Sequence, residues 1–419
     1  MKIGIIGAWH LGEVYAVGFA ELNHQVMIND KTEIIESLKK GIPLIEEPGL
    51  KELLNKHLNK NIIPASTIKE TVQNSDIIII AYDSPVDEND EVDTLPVIKA
   101  AADIAQHANK DIIVIISSQI PIGTSKKVEN LLKESKYRID VAYAPENLRL
   151  GSAVERFLNP DITVIGARKQ EIANKCLEIF PGENKIFLKT ESAEMFKHMM
   201  NSYFATQITW ANEMSDLCEK VNANAVEIAK AMKNEKRIGK SAMILPGLGF
   251  GGGTLGRDIQ VLKAIGKSTN TETRIIDAII DNNNERNDVV IRKLEKHLGV
   301  LKNKKITILG LTYKSGTNTL RRSPSLEIIN KLKKEKSIIT AFDPSIKAST
   351  ELPKDITLSQ DINSAIKEAD AVVIMTDWDS FRIIVDIATP KNIVIDTRNM
   401  LDPQSLKQKG ITYEGIGIC

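Results

Sequence analysis

Two glycine-bearing stretches are the first places where residue types and spacing could do chemistry. Near the start, the apolar run Ile3–Ile6 leads into Gly7-Ala8-Trp9-His10-Leu11-Gly12. A turn that holds a dinucleotide wants one glycine for the tight bend, one for close approach of the pyrophosphate and one for packing of the next helix on the sheet. Gly7 and Gly12 fill the first and third roles, and Trp9 stands at the second. Asp30 closes the next apolar run, where a carboxylate accepts hydrogen bonds from a ribose hydroxyl and favours NAD over NADP. Strand, turn, helix and acid thus fall in the order that predicts an NAD site. The alternative is a tight strand–helix turn that binds nothing, and Trp9 is what speaks for it. The second stretch, Leu245-Pro246-Gly247-Leu248-Gly249-Phe250-Gly251-Gly252-Gly253, is a loop whose backbone can approach a ligand closely.

Other chemistries have little to stand on. Cys176, Cys218 and Cys419 are far apart and odd in number, which fits reduced thiols in cytoplasm rather than a disulfide framework. No pair among the six histidines has metal-ligand spacing, so no metal is expected. The chain opens on a strand pattern, so no secretory leader is expected, and no apolar stretch approaches the ~20 residues of a spanning helix. Lys plus Arg equals Asp plus Glu, 55 against 55, so bulk charge draws the chain to neither nucleic acid nor membrane.

The elements that must position these residues are legible as a change of texture along 419 residues, too long for one core. Ile3–Ile6, Gln25–Asn29, Ile77–Ala81, Ile112–Ile116 and Ile162–Ile165 are apolar on consecutive positions and rich in β-branched residues, as suits strands of a parallel sheet buried on both faces. Helical patterns such as Lys31–Lys40 and Leu95–His107 lie between them. From Glu191 to Val221, about one apolar residue per turn and no Pro or Gly predict one long helix. Strand–helix alternation resumes at Lys305 with Ile306–Leu309, Ile338–Phe342, Ala371–Met375 and Ile393–Ile395. The expected fold is α/β, two Rossmann-like doubly wound domains (1–190 and 301–419) joined by a central helical domain (191–300).

Several strings, in order over nearly the whole chain, resemble the UDP-glucose/UDP-mannosaminuronate (nucleotide-sugar) dehydrogenase family. They include Glu47-Pro48-Gly49-Leu50, Ser118-Gln119-Ile120-Pro121-Ile122-Gly123-Thr124, Ala144-Pro145-Glu146-Asn147-Leu148-Arg149 and Ala193-Glu194-Met195-Phe196-Lys197 with Asn201. Arg237-Ile238-Gly239, Gly249-Phe250-Gly251-Gly252, Gly310-Leu311-Thr312-Tyr313-Lys314, Thr376-Asp377-Trp378 and Asp396-Thr397-Arg398-Asn399 continue the series. The resemblance implies NAD along Gly7, Trp9, Leu11, Gly12, Asp30, Ser84, Pro85 and Gln119. It implies a UDP-sugar held by Arg149, Arg237, Phe250, Gly251, Gly252, Lys314 and Arg398, with reaction in a cleft between the outer domains and Arg237 reaching across a homodimer built on the central helices.

The family oxidises a sugar's primary alcohol to a carboxylate in two hydride transfers, trapping the aldehyde on a cysteine thiolate. A thiolate suits that task, being nucleophilic near neutrality and a good leaving group. At the matching position this chain has Thr254, a weaker nucleophile and a poorer leaving group. Gln119 stands for the family's catalytic threonine, Leu150 for a glutamate and Arg257 for the loop lysine, while Glu146, Lys197, Asn201 and Asp258 are kept. Lys197 and Asn201, four apart, share one helix face and could converge on one oxygen. In this reading Glu146 is the base, Lys197 stabilises alkoxide charge, Asn201 orients the hydroxyl and Asp258 orders water or tunes Lys197. A structural polar network at a domain junction is the plainer alternative. The preferred activity is a two-electron oxidation of a nucleotide sugar or its reverse; a redox-neutral NAD-holding epimerase and a non-catalytic nucleotide-sugar-binding paralogue stay open.

Overall fold

The strands form where consecutive β-branched residues leave no polar face, and the sheets bury both sides of them. In a computed structural model describing residues 1–82, 92–320, 322–348 and 350–418, the chain divides into two units, Met1–Met199 and Met200–Cys419. The first unit holds β1 (Lys2–Ile6), β2 (Gln25–Asn29), β3 (Ile62–Pro64), β4 (Ile77–Ile80), β5 (Ile112–Ile116), β6 (Ile139–Tyr143), β7 (Thr163–Ala167) and β8 (Lys185–Leu188). They lie in the order β3-β2-β1-β4-β5-β6-β7-β8, parallel except where β6 meets β7. The first six strands have the doubly wound order, with its reversal at β1 and β4.

Alternation across the sheet is visible residue by residue. Ile77 and Ile79 join one buried cluster, whereas Ile78 and Ile80 join the other. Successive strand side chains point to opposite faces, and four isoleucines in a row therefore stay buried only because helices cover both sides.

The second unit repeats the plan with β9 (Lys305–Leu309), β10 (Ile338–Phe342), β11 (Thr357–Leu358), β12 (Ala371–Ile374), β13 (Ile393–Asp396) and β14 (Thr412–Gly415). Their order is β11-β10-β9-β12-β13-β14, all parallel. Ile306 and Ile308 face one core, and Leu309 and Ile374 the other. The α/β class, parallel sheets and a central helical region are thus as the sequence predicts.

The expected long helix runs Thr190–Lys220, and the boundary between the units falls inside it. Below it in sequence come the helices Ala225–Met232, Leu255–Thr269, Arg274–Arg286 and Asp288–Leu298. Five strands, β3, β6, β8, β11 and β14, were not among those expected from the sequence. Four of them are edge strands or neighbours of an edge, and these have fewer buried positions to advertise themselves; β8 is half-buried at best.

Candidate functional site

The glycine turn is built as a dinucleotide turn must be, at the β1/β4 reversal where α/β sheets take ligands. Gly7 has φ +103°, and a Cβ on Gly12 would lie 1.8 Å from the Gly7 carbonyl oxygen. Only glycine therefore allows the His10–Glu21 helix to start so close to the turn. Trp9, at the second glycine position, has an ordinary extended backbone (φ −82°), so nothing strains it. Its indole is 44% exposed and does not fill the core. Asp30 Oδ2 accepts the Ala8 amide at 2.6 Å, which pins the end of β2 to the turn. These residues fit NAD: Gly7, Gly12 and the first helical turn would carry the pyrophosphate, and Asp30 the ribose. Leu11 is buried beneath them, and Ser84 and Pro85 lie outside the described residues.

One residue in this turn has no place in the sequence argument. Glu13 is buried and accepts the Leu44 amide at 3.0 and 3.2 Å. Burial pushes its carboxyl up to about 7, with the Leu44 amide opposing and nearby Asp30 adding to the rise.

The first half of the Thr190–Lys220 helix is stitched to the loops that follow β5 and β6. Buried Glu194 accepts the amides of Gly123 (2.6 Å) and Ser125 (2.9 Å), and the His198 ring meets the Ile120 carbonyl at 3.2 Å. Lys197, also buried, donates to Asn147 Oδ1 at 3.3 Å. Gln119 donates to Glu146 Oε2 at 3.3 Å, and Glu146 Oε1 accepts the Leu148 amide. Gln119 Oε1 is buried without a hydrogen-bond partner. Arg149 next to this loop is exposed. Glu47 accepts the amides of Gly151 and Ala153, both at 2.8 Å, and so fastens the Glu-Pro-Gly-Leu stretch beneath the Glu146 loop.

In the second unit, Asn201 donates its side-chain amide to buried Asp258, joining the long helix to the first turn of Leu255–Thr269. Thr254 is that helix's N-cap residue, yet its hydroxyl makes no cap hydrogen bond. The glycine loop before it is held from below. Asn212 accepts the Gly247 amide (2.9 Å) and donates to the Leu248 carbonyl (3.1 Å), and Asn283 brackets Phe250 through amide and carbonyl. A Cβ on Gly251 would come within 2.7 Å of the Arg322 carbonyl oxygen, so backbone packs on backbone there. The Gly252 amide donates to that same carbonyl at 3.2 Å.

Lys314 and Arg398 follow β9 and β13, near the β9/β12 reversal of the second sheet. Asp377, after β12, accepts from Ser315 (3.1 Å) and from Arg398 (3.4 Å), which gathers the three loops. Burial pushes the Asp377 carboxyl up, but Arg398 and Ser315 outweigh it and hold the group below the usual carboxylate range. Asp343 braces the same end through the amides of Leu311 and Thr312 and the Trp378 indole. Arg237 is apart from all of this, exposed and paired with Glu235 at 3.0 Å.

Residues 1–182, 191–285 and 307–403 match, in turn, the NAD binding, central and UDP binding domains described for the UDP-glucose/GDP-mannose dehydrogenase family. The chain belongs to that family. It is 32% identical to the UDP-glucose 6-dehydrogenase TuaD of Bacillus subtilis, covering 99% of this chain and 93% of the relative. It is 34% identical to the UDP-glucose 6-dehydrogenase of Rickettsia conorii, over 100% and 99% of the two chains. Among solved structures, a UDP-glucose dehydrogenase from Pyrobaculum islandicum superposes with a TM-score of 0.91 at 29% identity, covering 100% and 98%.

The NAD binding domain match covers the first sheet with its Asp30 turn, and the UDP binding domain match covers the second with Lys314 and Arg398 at its reversal. Sequence reasoning missed Glu13 and Asn283 and gave Asp343 and Asp377 no role; all four are braces that act through partners far off in the chain. Among the described residues the free cysteines are Cys176 and Cys218. Cys176 is buried, and burial, with Asp140 adding, pushes its thiol up to about 12. Among the described residues no cluster of His, Cys, Asp and Glu could hold a metal ion, and no helix is long and apolar enough to cross a membrane.

Proposed function

We propose that this chain performs an NAD-linked oxidation of an alcohol on a UDP-sugar that stops after two electrons. The observation that carries the reading is Thr254, an exposed alcohol at the position of the family's nucleophile, while Lys197, Asn201 and Asp258 match the family's pattern. In this reading Glu146 takes the hydroxyl proton, and its two hydrogen bonds hold the carboxylate in one orientation. Lys197 and Asn201 stabilise the developing alkoxide. NAD supplies the hydride acceptor. Lys314 and Arg398 hold the diphosphate, for which cationic donors are suited, while Phe250, Gly251 and Gly252 line the sugar and Arg149 flanks it.

Incubation with NAD and a panel of UDP-sugars, with NADH counted against product mass, tests this. One NADH per sugar is expected; two per sugar with a newly formed carboxylate would overturn it.

We also infer a homodimer formed through the central helices, in keeping with a three-part division at about residues 190 and 300. Tyr203, Trp210 and Leu217 recur every seven residues on the long helix, flanked by Met199 and Val221, and all are exposed. An apolar seam at heptad spacing is what one helix offers another. Arg237, 88% exposed although paired with Glu235, is in this reading the residue that reaches a partner's site.

A further inference from the structure

The side chain of Arg257 is only 8% exposed, yet its charge is poorly answered. Among the described residues its Nε has no hydrogen-bond partner, and its ionic neighbour, Asp258 Oδ1, is 4.0 Å away, the outer limit of an ion pair. The other oxygen of that carboxylate, Oδ2, accepts the Asn201 amide. A buried cation without hydrogen-bonded counter-charge is costly, so the position calls for an anion. Arg257 lies in the first turn of Leu255–Thr269, and helical side chains lean back toward the N-terminus. At that terminus the leading amides lack helical partners and no side chain caps them. The Thr254 hydroxyl there is exposed and makes no hydrogen bond among the described residues.

We propose that Arg257, the Thr254 hydroxyl and the leading amides of this helix form a carboxylate-binding corner, so that the UDP-sugar oxidised here already carries a carboxylate. This rests on, and deepens, the reading of the chain as a UDP-sugar oxidase of the two-electron kind. A planar guanidinium pairs with a carboxylate through two parallel N–H···O bonds, and a hydroxyl at the N-cap supplies a further donor. A substrate that is already an acid also needs no thiolate. The alcohol oxidised is then a secondary ring hydroxyl: its C–H bond breaks with the electron pair passing to NAD, its O–H proton passes to Glu146, and a C=O bond forms.

Calorimetric titration of the full-length protein, wild type, Arg257→Leu, Arg257→Lys and Thr254→Val, with UDP, UDP-glucose, UDP-glucuronate and NAD tests it. The wild type should bind UDP-glucuronate ~10-fold or more tightly than UDP-glucose, the usual scale for charge-assisted hydrogen bonds. Arg257→Leu should abolish that preference and leave UDP and NAD unchanged, while Arg257→Lys keeps part of it. Equal binding of the two sugars by the wild type overturns the proposal, although UDP binding would still stand. A loss in Arg257→Leu shared by UDP and both sugars would make the anion the sugar's diphosphate, and a loss confined to NAD would make it the cofactor's; either overturns it too. If no UDP compound binds at all, this inference and the UDP-sugar reading fall together. Retained UDP affinity in Arg257→Leu doubles as the check that the variant is folded.

Discussion

Asn201 donates its side-chain amide to the carboxylate of Asp258, linking the Thr190–Lys220 helix to the first turn of Leu255–Thr269. Both side chains are buried, 4% and 1% exposed, so the amide answers a charge that water cannot reach. Removing it takes one donor from the carboxylate.

Asn201→Ala is therefore expected to lower stability by about 1.5–3 kcal/mol, the usual worth of a hydrogen bond to a charged group. Urea unfolding followed by far-ultraviolet circular dichroism measures it. An unchanged midpoint would show that Asp258 is satisfied without Asn201.

Glu13 makes stability depend on pH in a direction opposite to most carboxylates. Its folded-state value, raised from 4.5 to about 7, means the folded chain holds a proton that the unfolded chain has released. Stability contributed by this group thus falls as pH rises from about 4.5 to 7. Glu13→Gln should be more stable than the wild type at pH 8, by on the order of 1–3 kcal/mol, and the gap should close by pH 5. A gap independent of pH would contradict the assignment.

Trp9 sits where a dinucleotide turn usually presents bare backbone to the pyrophosphate. Trp9→Gly is expected to tighten NAD binding a few-fold, read by calorimetry. Weaker binding in the variant would mean that the indole holds the cofactor instead of obstructing it.

Arg398 is paired with Asp377 at 3.4 Å just past the carboxyl ends of β13 and β12, where both side chains are part-exposed. Such a pair contributes little to stability, so Arg398→Ala should leave the melting temperature nearly unchanged. Its effect should fall on UDP, weakened ~10-fold or more through lost charge-assisted hydrogen bonds. A drop in melting temperature with UDP affinity intact would make Arg398 structural.

The sequence made the central strands plain because consecutive isoleucines such as Ile77–Ile80 can only be buried on both faces. It hid β14 and β8, which lie at sheet edges and keep polar residues such as Glu414 and Lys185. It also hid β6, where Asp140 interrupts the apolar run although the strand pairs on both sides. At the site, Lys197 and Asn201 were legible as a spacing on one helix. The bridge from Asp377 to Ser315, 62 residues away, was not, since nothing local records which loop ends a fold gathers. Arg257 was visible as a substituted residue, but its poverty of partners is a property of packing alone.

The central claim is that one chain carries two separate nucleotide sites, one at each sheet's reversal point. Titrating the protein with NAD, with UDP, and with each in the presence of the other tests it most directly. The account predicts one site per chain for each ligand, with neither displacing the other. Absence of NAD binding, or competition of NAD and UDP for a single site, would contradict it.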